Sequence, residues 1–284
     1  MLACLQHTLV VRRFISGQFC FQKFITFDAR SSRSTRGTSS CALTHHTTAM
    51  KFARFFLKDD ESRTPKCGVV VDAKGTLVEL QGVEDLVAFL ASGAEAGVEA
   101  ALRSGDKIAA DAVQLLAPVA QRQCGGIFCV GMNYVDHCTE QNFPIPEEPI
   151  IFNKLPRCIR GPGDDLQLND IVPNLDFEVE LAIVIGKTCR YVAAEDAPKV
   201  VAGYTVAHDV SARNWQLKRN GSQWFIGKTF ESFAPIGPYL VTQDAKFDPN
   251  NTKLGCKVNG ASVQDSSTKV RELVPTPCSK TCRR

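Results

Sequence analysis

The chain has 284 residues, 44% hydrophobic and 22% charged, which is enough apolar material for a sizeable core in one large domain or two smaller ones. Its formal charge of +3 is unevenly spread: Arg12, Arg13, Lys23, Arg30, Arg33 and Arg36 against the lone acid Asp28 put +5 on the first fifty residues and leave −2 on the rest. That balance gives no electrostatic footprint for nucleic acid, so the expected partners are small molecules or a second copy of the chain.

Residues 1–50 are Arg-, Ser- and Thr-rich and nearly free of acid, as in Arg30-Ser31-Ser32-Arg33-Ser34-Thr35-Arg36. This is the composition of a mitochondrial transit peptide with no fold of its own, and it predicts a mitochondrial protein. Arg12, Arg13 and Lys23 interrupt its apolar residues, so no membrane-spanning segment is expected. Translation from Met50 would give a cytosolic form.

Residues 51–120 read as a small N-terminal α/β unit. Phe52 to Leu57, Cys67 to Val71 and Thr76 to Leu80 have strand character, with Asp72-Ala73-Lys74-Gly75 as a hairpin turn. Helical spacing of Leu86, Phe89 and Leu90, then an Ala-rich stretch from Ala96 to Leu102, predicts two helices before a connection through Leu116-Ala117-Pro118-Val119.

From Ile127 the texture changes to short β-rich runs punctuated by Gly, Pro and Asn, which predicts a mixed β-sheet roll over 121–268 and an α+β fold overall. Ile127-Phe128-Cys129-Val130 is a strand that leads through Gly131-Met132-Asn133-Tyr134 into Asp136, His137 and Glu140, within about one helical turn. A proline-rich segment, Phe143 to Pro149, follows, so this short helix sits in a loop that could act as a lid.

The strand Phe177-Glu178-Val179-Glu180-Leu181-Ala182-Ile183-Val184-Ile185 carries the strongest chemical signal. Side chains alternate faces, so Phe177, Val179, Leu181, Ile183 and Ile185 share one face and both glutamates share the other. Two like charges that close, with core-like flanks, need solvation, protonation or a cation, and a divalent metal answers that need. Tyr204 to His208 reads as a further strand that delivers Asp209 at its end. The neighbours His208, Asp209 and Ser211 are not a serine relay, because successive strand residues point to opposite faces. Trp224-Phe225-Ile226-Gly227-Lys228-Thr229-Phe230 sets one lysine in an apolar stretch, either desolvated or held charged by a carboxylate. The twelve cysteines are scattered, with no Cys-x-x-Cys pair, and read as free, mostly buried thiols.

These elements in this order resemble the fumarylacetoacetate hydrolase family. The resemblance rests on Val130 to His137, on Phe177 to Leu181 with Val184-Ile185-Gly186-Lys187, on His208 to Arg213, and on Gly227-Lys228-Thr229-Phe230, and it covers about Ile127 to Asp265. It implies that Glu178, Glu180 and Asp209 ligate Mg2+, or Mn2+ or Ca2+, through oxygen. It implies that His137 and Glu140 form an acid/base pair on a lid, and that Arg213, Gln216 and Lys228 hold a substrate carboxylate and a developing enolate oxygen. The implied protein is a homodimeric, mitochondrial, metal-dependent enzyme of a 2-oxo acid. Oxaloacetate keto–enol tautomerisation is the first expectation; acylpyruvate or fumarylacetoacetate-type carbon–carbon hydrolysis, or oxaloacetate decarboxylation, is the alternative. Two departures stand out. Asn214 occupies a position where the family usually has aspartate, and residues 269–284 diverge where a Pro-Gly-Asp strand and a Thr-Gly-Thr-Pro loop are expected. That tail makes a noncatalytic truncated isoform a further alternative.

Overall fold

The computed structural model describes residues 9–13, 19–23 and 49–270, except 94, 169, 173 and 244–246. Residues 271–284, nearly all of the tail expected to diverge from 269, and most of residues 1–50, expected to be a transit peptide, lie outside the described residues. Where the sequence predicts no fold, residues 1–50 contain two short strands, β1 (Leu9–Arg13) and β2 (Phe19–Lys23), paired antiparallel. Their Val and Phe content favours extended backbone.

The N-terminal unit begins with β3 (Lys51–Leu57), β4 (Lys66–Val70) and β5 (Leu77–Glu79). Asp72 closes the turn between β4 and β5, where its Oδ1 accepts from the backbone N–H groups of Lys74 and Thr76, and Gly75 takes φ +83°. Helix α1 (Leu86–Ala91) starts at Asp85, whose carboxylate accepts from the N–H groups of Val87 and Ala88. Helix α2 (Glu95–Ser104) follows, then β6 (Lys107–Ile108) and β7 (Val113–Leu116). Leu86 and Val98 bury their side chains against Phe52, Val69, Val78 and Leu240, so the two helices cover one face of the sheet.

In the second unit β8 (Ile127–Gly131) and β9 (Ile150–Lys154) form an antiparallel pair, and the chain between them carries α3 (Val135–Glu140). Next come β10 (Ile159–Arg160), β11 (Leu175–Asp176), β12 (Val179–Ile185), β13 (Val201–His208) and β14 (Ser211–Ala212). One π turn, Asn214–Lys218, and the short α4 (Phe225–Lys228) lead to β15 (Ala234–Val241), and the described chain closes with β16 (Lys253–Val258) and β17 (Ala261–Ser267).

The main sheet has nine strands, in the order β12-β13-β15-β3-β4-β5-β6, with β10 beside β15 and β7 beside β3. Leu240 lies opposite Phe52 and Val241 opposite Lys51, so one sheet runs through both halves of the chain. A second sheet has the order β17-β16-β1-β2. The fold is therefore α+β, sheet-rich with short helices, as the sequence predicts. Strand β12 begins two residues later than its apolar pattern suggests. The alternation also ends early, because the pairing with β13 shifts between Val184 and Ile185 and leaves Ile185 exposed.

Candidate active site

The site is built on the register of β12 and β13. Val179 lies opposite His208 and Glu180 opposite Ala207, and the N–H of Asp209 donates to the carbonyl of Glu178 at 2.8 Å, one rung further. Residues directly opposite each other share a face, so Glu178, Glu180 and Asp209 project from the same side, with the small Ala207 among them. On the other face Val179 packs in a core with Val206, Val210 and Phe233. Burial of that face fixes the register, because a slip of one residue would turn both glutamates into the core.

Three cations meet these carboxylates. Lys228 Nζ donates to Glu178 Oε2 at 2.8 Å and to Asp209 Oδ2 at 2.9 Å, and is 1% exposed, which excludes a lysine lying along the surface. Arg213 donates through Nη2 to Glu178 at 2.5 Å, through Nε to Asp176 at 2.8 Å and through Nη1 to Gln216 Oε1 at 2.7 Å. Lys154, at the end of β9, lies 2.7 Å from Asp209 Oδ1 and donates to the carbonyls of Val210 (3.0 Å) and Lys228 (2.6 Å).

The electrostatics follow from this inventory. Burial alone would raise Asp209, but Lys154 and Lys228 outweigh it and hold the carboxyl below its usual range. Burial would likewise lower Lys228; Asp209 and Glu178 outweigh it and raise the ammonium. Among the described residues Glu180 has no ion-pair partner. Burial, then the charges of Glu178 and Asp209, push its carboxyl up to about 8, and its oxygen accepts a long 3.4 Å bond from Tyr134 Oη.

A divalent cation can be tested against these observations. No three His, Cys, Asp or Glu side chains form a ready-made metal cluster among the described residues, and the Lys228 ammonium lies between two of the carboxylates. The donors nevertheless suit a hard cation. All are carboxylate oxygens on one face, and burial with the neighbouring charges of Glu178 and Asp209 leaves Glu180 short of positive charge.

The backbone around the site is made for close packing. A Cβ on Gly227 would lie 2.6 Å from the Gln216 nitrogen, so only glycine lets α4 approach the π turn and set Lys228 at the carboxylates. A Cβ on Gly131 would lie 2.5 Å from the Trp224 ring. This glycine seats β8 against the start of α4 and lets Tyr134 reach Glu180.

The sequence-predicted residues divide into two groups. Glu178, Glu180, Asp209, Arg213, Gln216 and Lys228 are gathered in one constellation, in which Asp209, Gln216 and Lys228 are buried and the others half-buried. His137 and Glu140 are set apart from them on α3, paired with each other at 3.9 Å, with side chains 39% and 74% exposed. Helix α3 is tied in by Tyr134 to Glu180 and by Ser266, which donates to Asp136.

Sequence reasoning missed Lys154, Tyr134 and Gln264. Lys154 follows the run Ile150-Ile151-Phe152 after Asn153, a weaker form of the signal that singled out Lys228. Gln264 carried no signal. Its amide accepts from Val179 N–H at 2.9 Å and donates to Val179 C=O at 3.0 Å, clasping the outer edge of β12 as a further strand would. Gln264→Ala should therefore cost about 1–2 kcal/mol and speed hydrogen exchange at the Val179 amide. Unchanged exchange there would show that the clasp does not hold β12.

The thiol pattern gives a second prediction. Burial pushes Cys67 to about 11, and Cys129 and Cys256 to about 12, whereas Cys189 is exposed. Iodoacetamide at pH 8, followed by peptide mapping, should modify Cys189 and spare these three. Rapid modification of Cys129, which lies among the charges of Asp209, Lys154, Lys228 and Glu180, would contradict the buried site.

A sheet-built site of clustered carboxylates and buried lysines defines the class of protein, and the comparisons give the family. The fumarylacetoacetate hydrolase C-terminal family matches residues 126–276, and the chain belongs to the fumarylacetoacetate hydrolase family. It is similar to the mitochondrial oxaloacetate tautomerase fahd2 of Xenopus laevis, at 43% identity over 228 residues, covering 78% of this chain and 70% of that protein. It is 55% identical over 156 residues to the mitochondrial oxaloacetate tautomerase FAHD2A of Homo sapiens, covering 55% of this chain and 49% of that one. The chain thus spans from about half to 70% of the length of these curated relatives. Among solved structures it resembles the fumarylacetoacetate hydrolase of psychrophilic Exiguobacterium antarcticum, with TM-score 0.70, 34% identity and coverage of 82% and 81% of the two chains. It also resembles the maleylpyruvate hydrolase of Sphingobium sp. SYK-6 in complex with manganese(II) and pyruvate, with TM-score 0.63, 27% identity and 78% coverage of each chain.

Proposed function

We propose that the chain is a divalent-metal-dependent enzyme of a 2-oxo acid, and that its reaction is keto–enol tautomerisation of oxaloacetate in the mitochondrion. The observation that carries this reading is the cross-strand pair Glu178 and Asp209, with Glu180 on the same face, set around the buried Lys228. The names of the frog and human relatives support the substrate and the compartment, and the manganese and pyruvate in the maleylpyruvate hydrolase structure support the metal and the 2-oxo acid class.

Glu178, Glu180 and Asp209 would hold Mg2+, or Mn2+ or Ca2+, which when bound supplies a Lewis acid for the oxygens of the substrate. Arg213 has five N–H donors and directs three at protein acceptors, which leaves two for a substrate carboxylate. Gln216 is 3% exposed and orients that guanidinium. Lys228 Nζ would give its proton to the keto oxygen as negative charge develops there, while the His137 imidazole, oriented by Glu140, would take one from the adjacent carbon. The enol would leave with the proton from Lys228, after which His137 would release the carbon's proton to solvent and Lys228 would take one up, so both groups regain their starting state and the exchange balances. Helix α3, tethered at Tyr134 and Asp136, would limit water at the site. The units at 51–120 and 121–268 are proposed as support and catalytic halves. A homodimer is also proposed, supported by Phe128 and Ile151, which are 82% and 47% exposed on the β8–β9 hairpin.

Hydrolysis of a carbon–carbon bond in an acylpyruvate is the second reading, favoured by the hydrolase names of the two structural relatives. The test is Mg2+-dependent loss of enol-oxaloacetate absorbance by the purified chain, against a Glu178→Ala, Glu180→Ala control. A rate no higher than the control's would sink the tautomerase reading; cleavage of an acylpyruvate without tautomerisation would select the second.

A further inference from the structure

The two buried lysines at this site are held differently. The Lys154 ammonium has three acceptors for its three N–H groups, and two of them are main-chain carbonyls, of Val210 and Lys228. Those carbonyls belong to the chain just after β13 and to the last residue of α4, so Lys154 ties together the two segments that present Asp209 and Lys228. Its position does not depend on any carboxylate being free. The Lys228 ammonium differs. Among the described residues its hydrogen-bond acceptors are the carboxylates of Glu178 and Asp209, and Nζ lies 5.0 Å from the centre of the Phe152 ring.

We infer that Lys154 is a positioning residue, a fixed strut for Asp209 and the end of α4, whereas Lys228 is a displaceable counter-charge that leaves Glu178 and Asp209 when a divalent cation takes them. This rests on the metal reading above and deepens it. A cation and an ammonium compete for the same oxygens, Glu178 Oε2 and Asp209 Oδ2, and one that binds there releases Nζ. Lys154 approaches Asp209 from Oδ1 and keeps its two carbonyls throughout. Metal loading and arming of Lys228 are then a single event: the ammonium is delivered to substrate only when the cation is in place. Opposite effects of removing the two lysines follow. Loss of Lys228 removes a competitor, and loss of Lys154 removes a support.

The test uses the full chain and Mn2+ alone, with free Mn2+ read by electron paramagnetic resonance in wild type, Lys154→Met and Lys228→Met. The expected result is Mn2+ binding weakened about tenfold or more in Lys154→Met, the usual cost of losing a partner of a ligating group. In Lys228→Met, binding should tighten. If wild type binds Mn2+ but both substitutions weaken it, or neither changes it, the inference is overturned while the metal reading stands. If wild type binds no Mn2+, the metal reading falls and the inference with it. Should Lys154→Met fail to fold, 15N spectra of the lysine ammonium groups in wild type decide. On adding Mg2+, the exchange-protected signal missing from Lys228→Met should move and a second protected signal should stay. Both moving together, or neither moving at Mg2+ that saturates the Mn2+ site, would overturn it.

Discussion

Asp209→Asn is expected to abolish divalent-metal binding and turnover and to cost about 3–5 kcal/mol of stability, with no recovery on adding Mg2+. The carboxylate is 6% exposed and faces two ammonium groups, Lys154 at Oδ1 and Lys228 at Oδ2. Asparagine keeps the shape but removes the charge, and its amide would turn N–H donors toward a cation. Two positive charges would then be left buried with one carboxylate, Glu178, reaching only Lys228. Ser211→Ala is the matched comparison, two residues away and equally buried. Ser211 Oγ donates to the main-chain carbonyl of Asp209 at 3.0 Å, so its removal should cost about 1 kcal/mol and leave most turnover intact. Thermal melts with EDTA and with Mg2+, alongside the absorbance assay, separate the two variants. Equal and complete loss in both would contradict the assignment of Asp209 as the chemically active member of this stretch.

Lys228→Met is expected to lower turnover by about 10²–10³-fold, the scale of losing one donor to developing negative charge. Its stability should behave unlike that of Asp209→Asn. Without the ammonium, Glu178 and Asp209 face each other across the β12–β13 edge, so the melting temperature in EDTA should fall; Arg213 and Lys154 bound the loss because each still holds one of the two. Mg2+ should restore the melting temperature while turnover stays low. A variant that loses stability equally with and without Mg2+ would show that Lys228 is structural and that no cation takes its place.

The sequence makes part of this site legible. Alternation on a strand needs no tertiary information, so the shared face of Glu178 and Glu180 can be read directly, and so can the desolvated setting of Lys228 within Trp224 to Phe230. Asp209 could be placed at the end of a strand, but not opposite Glu178, because register is fixed by which faces are buried and by the pairing of β12 with β13. Lys154 lies 55 residues before Asp209 in the chain, and its role depends on three acceptors that only the tertiary fold brings together. Gln264 was invisible for a similar reason: a side-chain amide that caps a strand edge has no local pattern. The joining of both halves through β3 and β15 was likewise hidden, since either strand alone reads as an ordinary apolar run.

The proposed hold of Glu178, Glu180 and Asp209 on one divalent cation can be seen by anomalous diffraction at the manganese edge, from crystals of the chain grown with Mn2+. One strong peak is expected in contact with oxygens of all three carboxylates, with Lys228 Nζ moved off Glu178 and Asp209 and Lys154 unmoved. No peak there at saturating Mn2+, with Lys228 still bridging the two carboxylates, would contradict it.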